Sequence, residues 1–326
     1  MQPRVLLHSV TPFLGCFFLV GPLFAQEQPG RRFTIEVDST DVAFALHGPA
    51  VVALAEEVRA TAEGAFAHHI ALFGSLPEEF SSGPYAVITI ELVEGEDRRG
   101  ESHPARIDIT MPPPREDIDH LLWKGVLTHE IFHLWNAEGF RYASVEEQWL
   151  SEGFTQYYTL RALGRMGVLD ESTYLYVLGR LLGMYLTDPG LGSISMREAG
   201  FAKEEHTGLV EGGGLGVALC LEVELKTTSG GKTSLDDVMR LLFARHGAID
   251  RRYALDDVEG YVEEVSGEDR SAFFREYVAG TATLPLEDCL APAGLMLSTD
   301  GDAVQVTKDP ASTESQLRLL SGLRGL

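Results

Sequence analysis

The chain has 326 residues, 44% of them hydrophobic and 23% charged, which excludes a wholly disordered or collagen-like polymer. Its 26 basic against 49 acidic residues leave a net charge of 26 − 49 = −23. A field of that sign repels phosphate backbones and anionic lipid heads, so nucleic acid is set aside as a partner.

Residues 1–25 read as an export signal. Arg4 supplies a positive start, and Phe13 to Phe24 is apolar but shorter than the roughly 20 residues a spanning helix needs. Ala25 is a small residue before the polar Gln26-Glu27-Gln28, although Leu23 is a poor residue for the third position back. Cys16 after Gly15 suggests a lipoprotein site, but the apolar residues that follow it do not. The expected location is secreted or periplasmic, with an uncleaved anchor as the alternative. No later segment is long and apolar enough to span a bilayer. Removing the signal leaves Cys220 and Cys289. The apolar run Ala218-Leu219-Cys220-Leu221 favours Cys220 as a small buried residue over a paired one.

Along the chain, Phe33–Val37 alternates as a strand. Pro49 to Phe73 reads as one helix stopped by Gly74, with Val52, Ala55, Val58 and Ala62 on one face. Tyr85–Val93 and Ile107–Met111 read as strands joined by a charged loop over Glu94–Pro104. From residue 118 the pattern is helical over 118–138, 145–166, 171–186, 214–228, 235–246, 255–265 and 268–279, with glycine breaks at 212–214 and 230–231. Ser144 with Glu147 reads as a capping box for the second of these helices. The architecture is α+β, a small mixed sheet followed by a helical lobe. The expected divisions are a signal at 1–25, a sheet-containing lobe at 26–117, a helical lobe at 118–297 and a tail at 298–326.

The chemistry concentrates at residues 129–152. In His129-Glu130-Ile131-Phe132-His133 the histidines are four apart on a helix, so both imidazoles can meet one metal ion. Glu130 stands beside them, placed to act as general base on water rather than as a ligand. A third protein ligand is needed. Among Glu138, Glu146, Glu147 and Glu152, Glu138 is too near the same helix end and Glu147 belongs to the capping box. A turn over Gly139–Ala143 between antiparallel helices would bring Glu152 over the histidines, with Gly153 allowing a close backbone approach. Two histidines and a carboxylate fit Zn2+.

The segments His129–Asn136 and Trp149–Tyr158 resemble the glycyl aminopeptidase family, gluzincin zinc metallopeptidases with a thermolysin-like catalytic domain. Gly214–Lys226, Gly231–Val238, Phe273–Thr281, Leu284-Pro285 and Ala293–Leu295 extend the resemblance over about residues 85–297. It implies one zinc per chain held by His129, His133 and Glu152, Glu130 as general base, peptide substrates, and Glu101 as anchor of a substrate α-amine. For Glu101, a solvated loop with Arg98 and Arg99 is the competing reading.

The chain departs from the family in three places. Where members carry Tyr-x-Lys-Gly, with the tyrosine expected to stabilise the oxyanion, this chain has Glu211-Gly212-Gly213-Gly214. Tyr253, Tyr185 and His206 are candidate substitutes. The family's Gly-Gly-x-Glu-His stretch is reduced to Gly100-Glu101-Ser102-His103. Only 29 residues follow Leu297 (326 − 297), too few for the family's PDZ domain. Among other features, His68-His69 reads as surface or core histidines. The functional expectation is an exported aminopeptidase. The alternatives are an endopeptidase on the same core, or a weakened module that binds zinc and peptide.

Overall fold

The computed structural model describes residues 30–81, 83, 87–247, 251–301 and 303–326. The signal segment, and Tyr85 and Ala86 of one predicted strand, lie outside them. Strands β1 (Arg31–Val37) and β2 (Thr40–His47) form an antiparallel hairpin in which Phe33 stacks on Phe44 with ring centroids 4.6 Å apart. Asp38 and Ser39 turn the chain with φ of 48° and 63°. A left-handed turn made without glycine hides the usual hairpin signal, and the sequence pattern therefore indicated β1 alone.

The helix expected over 49–73 is two, α1 (Pro49–Ala53) and α2 (Ala55–Phe73), broken at Leu54. After α3 (Glu78–Ser81) come β3 (Val87–Glu94), β4 (Arg99–His103) and β5 (Arg106–Met111). The five strands lie in the order β1-β2-β3-β5-β4, with β2, β3 and β5 parallel and the outer strands antiparallel to their neighbours. The charged loop expected at 94–104 thus contains an edge strand. Arg99, Glu101 and His103 are exposed on β4, a composition that suits an unpaired edge and mimics a loop in sequence.

The helical lobe runs through α4 (Asp117–His133), the short strand β6 (Arg141–Tyr142), α5 (Gln148–Arg165), α6 (Glu171–Leu186), α7 (Met196–Ala199), α8 (Gly214–Thr228) and α9 (Leu235–His246). Strand β7 (Arg252–Tyr253) pairs with β6, and α10 (Leu255–Ser266), α11 (Ser271–Tyr277) and α12 (Leu286–Leu290) follow. Residues 295–326 form a hairpin, β8 (Leu295–Asp300) and β9 (Ala303–Lys308), and α13 (Glu314–Leu323). The hairpin packs on α6, and Tyr174 of α6 donates to the Leu323 carbonyl of α13 at 3.4 Å. The arrangement is α+β, as expected.

Three expectations are corrected. Ser144 makes no capping box with Glu147. Its hydroxyl accepts the Glu146 N–H at the start of a 3₁₀ turn (Val145–Glu147), because the chain tightens there before α5 begins. The Glu147 carboxylate instead accepts from Trp149 Nε1 at 3.0 Å and Arg197 at 2.9 Å. Cys220 and Cys289 are bonded as a disulfide, their Cα atoms 4.9 Å apart where α12 packs against α8. An apolar sequence neighbourhood reports burial but not the long-range partner. The glycines at 212–214 do not break a helix: they carry a π-helical turn (Gly208–Gly213) directly into α8.

Candidate metal centre

Helix α4 supplies the first ligands. Asp119 accepts the Arg115 and Glu116 N–H groups at 2.9 and 3.2 Å, fixing the helix start. The apolar face of α4 is buried at Trp123, Leu127 and Ile131. The helix stops at His133 rather than at 138, in an irregular turn (Leu134–Gly139) with non-helical backbone at Asn136 and Ala137. That turn is useful to the site. It presents the Asn136 carbonyl to His133 Nδ1 at 3.1 Å, which assigns an N–H to Nδ1 and turns Nε2 toward His129 and Glu152. The Asn136 amide donates to the carbonyls of Leu150 and Ser151 and to Thr155, tying the end of α4 to the start of α5.

Helix α5 then places Glu152. Cβ atoms added at Gly153 and Gly214 would meet facing backbone at 2.3 and 1.9 Å, so both glycines are required where α5 crosses α8. The expected close approach is present, but the expected turn over Gly139–Ala143 is replaced by a longer connection that holds the irregular turn (Leu134–Gly139), β6 and the 3₁₀ turn (Val145–Glu147).

His129 Nε2 lies 3.0 Å from His133 Nε2, and Glu152 Oε2 lies 3.3 and 3.4 Å from these two nitrogens. Ligand atoms around tetrahedral zinc, at about 2.0–2.1 Å from the ion, sit roughly 3.3 Å apart, so these three fit one ion. Glu152 Oε1 receives the Lys203 ammonium at 2.5 Å. Burial opposes charge on His133, but the Glu152 carboxylate and Glu130 outweigh it and push its pKa up to about 9. Burial would raise the Glu152 carboxyl, yet His133, His129 and Lys203 hold it well below the usual carboxylate range.

These residues open into a cavity of about 940 Å³. Glu130 and Glu101 both line it. A Cβ on Gly100 would meet the Glu130 carboxylate at 2.5 Å, so the edge strand β4 lies directly against Glu130. Glu101 is 59% exposed, with His103 Nε2 at 3.6 Å from its carboxylate. One wall is apolar: Leu122 and Val126 continue the His129 face of α4, and Leu160 and Leu163 continue the Glu152 face of α5.

All five site residues indicated by the sequence therefore share one cavity. The three substitute oxyanion donors do not. Tyr185 Oη accepts the Leu284 N–H at 2.9 Å, His206 Nδ1 faces Asp188 at 3.0 Å, and Tyr253 is fully buried, where burial pushes its hydroxyl pKa up. None of them lines the cavity among the described residues. Lys203 was missed, since no spacing rule links it to a glutamate 51 residues earlier.

Residues 123–211 match the family model of the M61 glycyl aminopeptidases. Among curated protein sequences, none matches. Similar solved structures include an aminopeptidase N family protein from Idiomarina loihiensis, with a TM-score of 0.73 at 20% identity, covering 88% of this chain and 53% of that one. An M1 zinc metallopeptidase from Deinococcus radiodurans has a TM-score of 0.54 at 17% identity, covering 79% and 54%. Aminopeptidase A from Legionella pneumophila, solved with aspartic acid, has a TM-score of 0.57 at 13% identity, covering 77% and 28%. The chain thus spans about half the length of the first of these proteins. Residues 123–211 thus resemble the glycyl aminopeptidase family model, and the fold is similar to that of the aminopeptidase N family and M1 zinc metallopeptidase structures.

Proposed function

We propose that the chain is an exported zinc aminopeptidase. The observation that carries this reading is the convergence of His129, His133 and Glu152 within one ion's reach, on a cavity that Glu130 and the β4 edge strand also line. His129, His133 and Glu152 hold the ion. Bound zinc supplies Lewis acidity for the scissile carbonyl and lowers the pKa of water. Glu130 takes the proton of the attacking water and returns it to the leaving amine. A peptide laid along β4 presents its free amine to Glu101, whose carboxylate selects the charged N-terminus. The Cys220–Cys289 bridge supports export, because structural disulfides persist in oxidising compartments.

The test compares zinc-loaded wild type with Glu130→Gln on peptides bearing free or acetylated N-termini. Only free peptides are expected to be cleaved, and Glu130→Gln is expected to lower kcat by about 100- to 10,000-fold with zinc still bound. Cleavage of both forms assigns an endopeptidase instead. Zinc retention without any turnover leaves the binding module as the reading.

A further inference from the structure

Hydrolysis of a peptide bond at this centre needs a donor for the carbonyl oxygen as negative charge develops on it. We propose that Lys203 is that donor; the inference rests on the metallopeptidase reading above.

Four long cationic side chains line the cavity among the described residues: Arg98, Arg141, Arg252 and Lys203. Arg98 pairs with Asp119 at 3.3 Å, and Arg141 with Glu79 and Glu138 at 3.3 and 3.1 Å. Arg252 donates to the Tyr142 carbonyl at 3.3 Å. Lys203 is the cation whose head group meets the ligand cluster. Glu152 divides its oxygens, Oε2 toward the two histidines and Oε1 toward Lys203 Nζ at 2.5 Å. The ammonium is therefore one carboxylate away from the three ligand atoms, on a residue that lines the cavity.

Its segment is anchored to the start of α5, since Arg197 pairs with Glu146 and Glu147 at 2.8 and 2.9 Å. Thr207 Oγ1 donates to the Lys203 carbonyl at 3.0 Å, which fixes the backbone on the other side. Glu211, which accepts from Gln156 at 2.8 Å, and Glu130 attract the same ammonium. Three carboxylates, Glu130, Glu152 and Glu211, thus supply the charge that a divalent ion and one ammonium together balance. Lys203 can remain beside a bound cation for that reason.

During attack, the water oxygen bonds to the carbonyl carbon and Glu130 takes the water proton. The carbonyl π pair moves onto oxygen, and Lys203 donates a hydrogen bond to that oxygen while keeping its own proton. Removing one such donor typically costs about 100- to 1,000-fold in turnover.

The experiment measures kcat, KM, zinc affinity and binding of a phosphinate pseudopeptide to zinc-loaded wild type, Lys203→Met, Lys203→Arg and Tyr142→Phe. The expected result for Lys203→Met is a kcat loss of about 100-fold or more with KM and zinc affinity nearly unchanged. Phosphinate binding should weaken in parallel, Lys203→Arg should recover part of both, and Tyr142→Phe, at the tyrosine that lines the cavity among the described residues, should match wild type. Zinc affinity falling in step with activity, restored at saturating zinc, overturns the proposal and makes Lys203 a positioning residue for Glu152. Wild-type turnover in Lys203→Met, or loss at Tyr142→Phe instead, also overturns it. If the wild type shows no turnover, the metallopeptidase reading fails by itself. Phosphinate affinity then judges Lys203, with weaker binding in Lys203→Met supporting the contact and unchanged binding refuting it.

Discussion

His69 is fully buried behind the metal-bearing helix, its ring centroid 4.8 Å from Phe132 and 5.7 Å from Trp135. Burial, with His68 beside it, holds its pKa well below the usual value near 6.5. Desolvation likewise lowers His68, to about 4. The folded state therefore resists protons that the unfolded chain accepts, so stability is intact above about pH 6.5 and falls as the pH drops below it. Each such group contributes a slope of about 1.4 kcal/mol per pH unit. Urea denaturation should show lower stability at pH 5 than at pH 6.5, with His69 contributing to the loss. His69→Leu should remove that part, and an unchanged slope in the variant would refute the assignment. The sequence marked this pair as surface or core without choosing. Burial of His69 depends on α2 lying against α4, which no local pattern reports.

At the scale of elements, the α4–α5 pair was the most legible part of the chain. The i, i+4 histidines and Glu152 followed from helical periodicity and the need for a chain reversal, while the bounds and form of the connection did not. The stop of α4 at His133 was not legible, because Leu134 and Trp135 extend the apolar pattern while the backbone turns under them. The α5–α8 crossing makes a direct prediction. Gly153→Ala would force a methyl group to within 2.3 Å of the Gly214 backbone, and neither helix can yield without moving Glu152. A destabilisation of about 1–3 kcal/mol is expected, with weakened zinc binding, read by thermal melts and by competition with a zinc chelator. Wild-type zinc affinity in a folded Gly153→Ala protein would show that the crossing does not position the ligand. Strand β4 was the converse case, since its exposed charges resemble a loop and only pairing with β5 makes it an edge.

For the whole molecule, the Cys220–Cys289 bridge closes a loop with a sequence separation of 69 between α8 and α12. Loop-closure entropy gives such a bridge about 4 kcal/mol of stabilisation. The double variant Cys220→Ala/Cys289→Ala should therefore melt several degrees lower than the oxidised protein, and reduction of wild type should lower its melting temperature similarly. Equal melting of oxidised and reduced wild type would show that the bridge contributes little. Residues 298–326, expected as a tail, carry most of β8, and β9 and α13, against the helical lobe. By itself the sequence determined the α+β order, the boundaries of most helices in the second lobe and the candidates His129, Glu130, His133 and Glu152, whereas Glu101 rested on the family resemblance. These follow from periodicity and from chemistry carried within short segments. The tertiary structure alone decided that Cys220 meets Cys289, that β4 lies against Glu130, and that Lys203 rather than Tyr185, Tyr253 or His206 reaches the ligand cluster. Each of those is a contact between residues distant in sequence, set by how the elements pack rather than by any pattern within them.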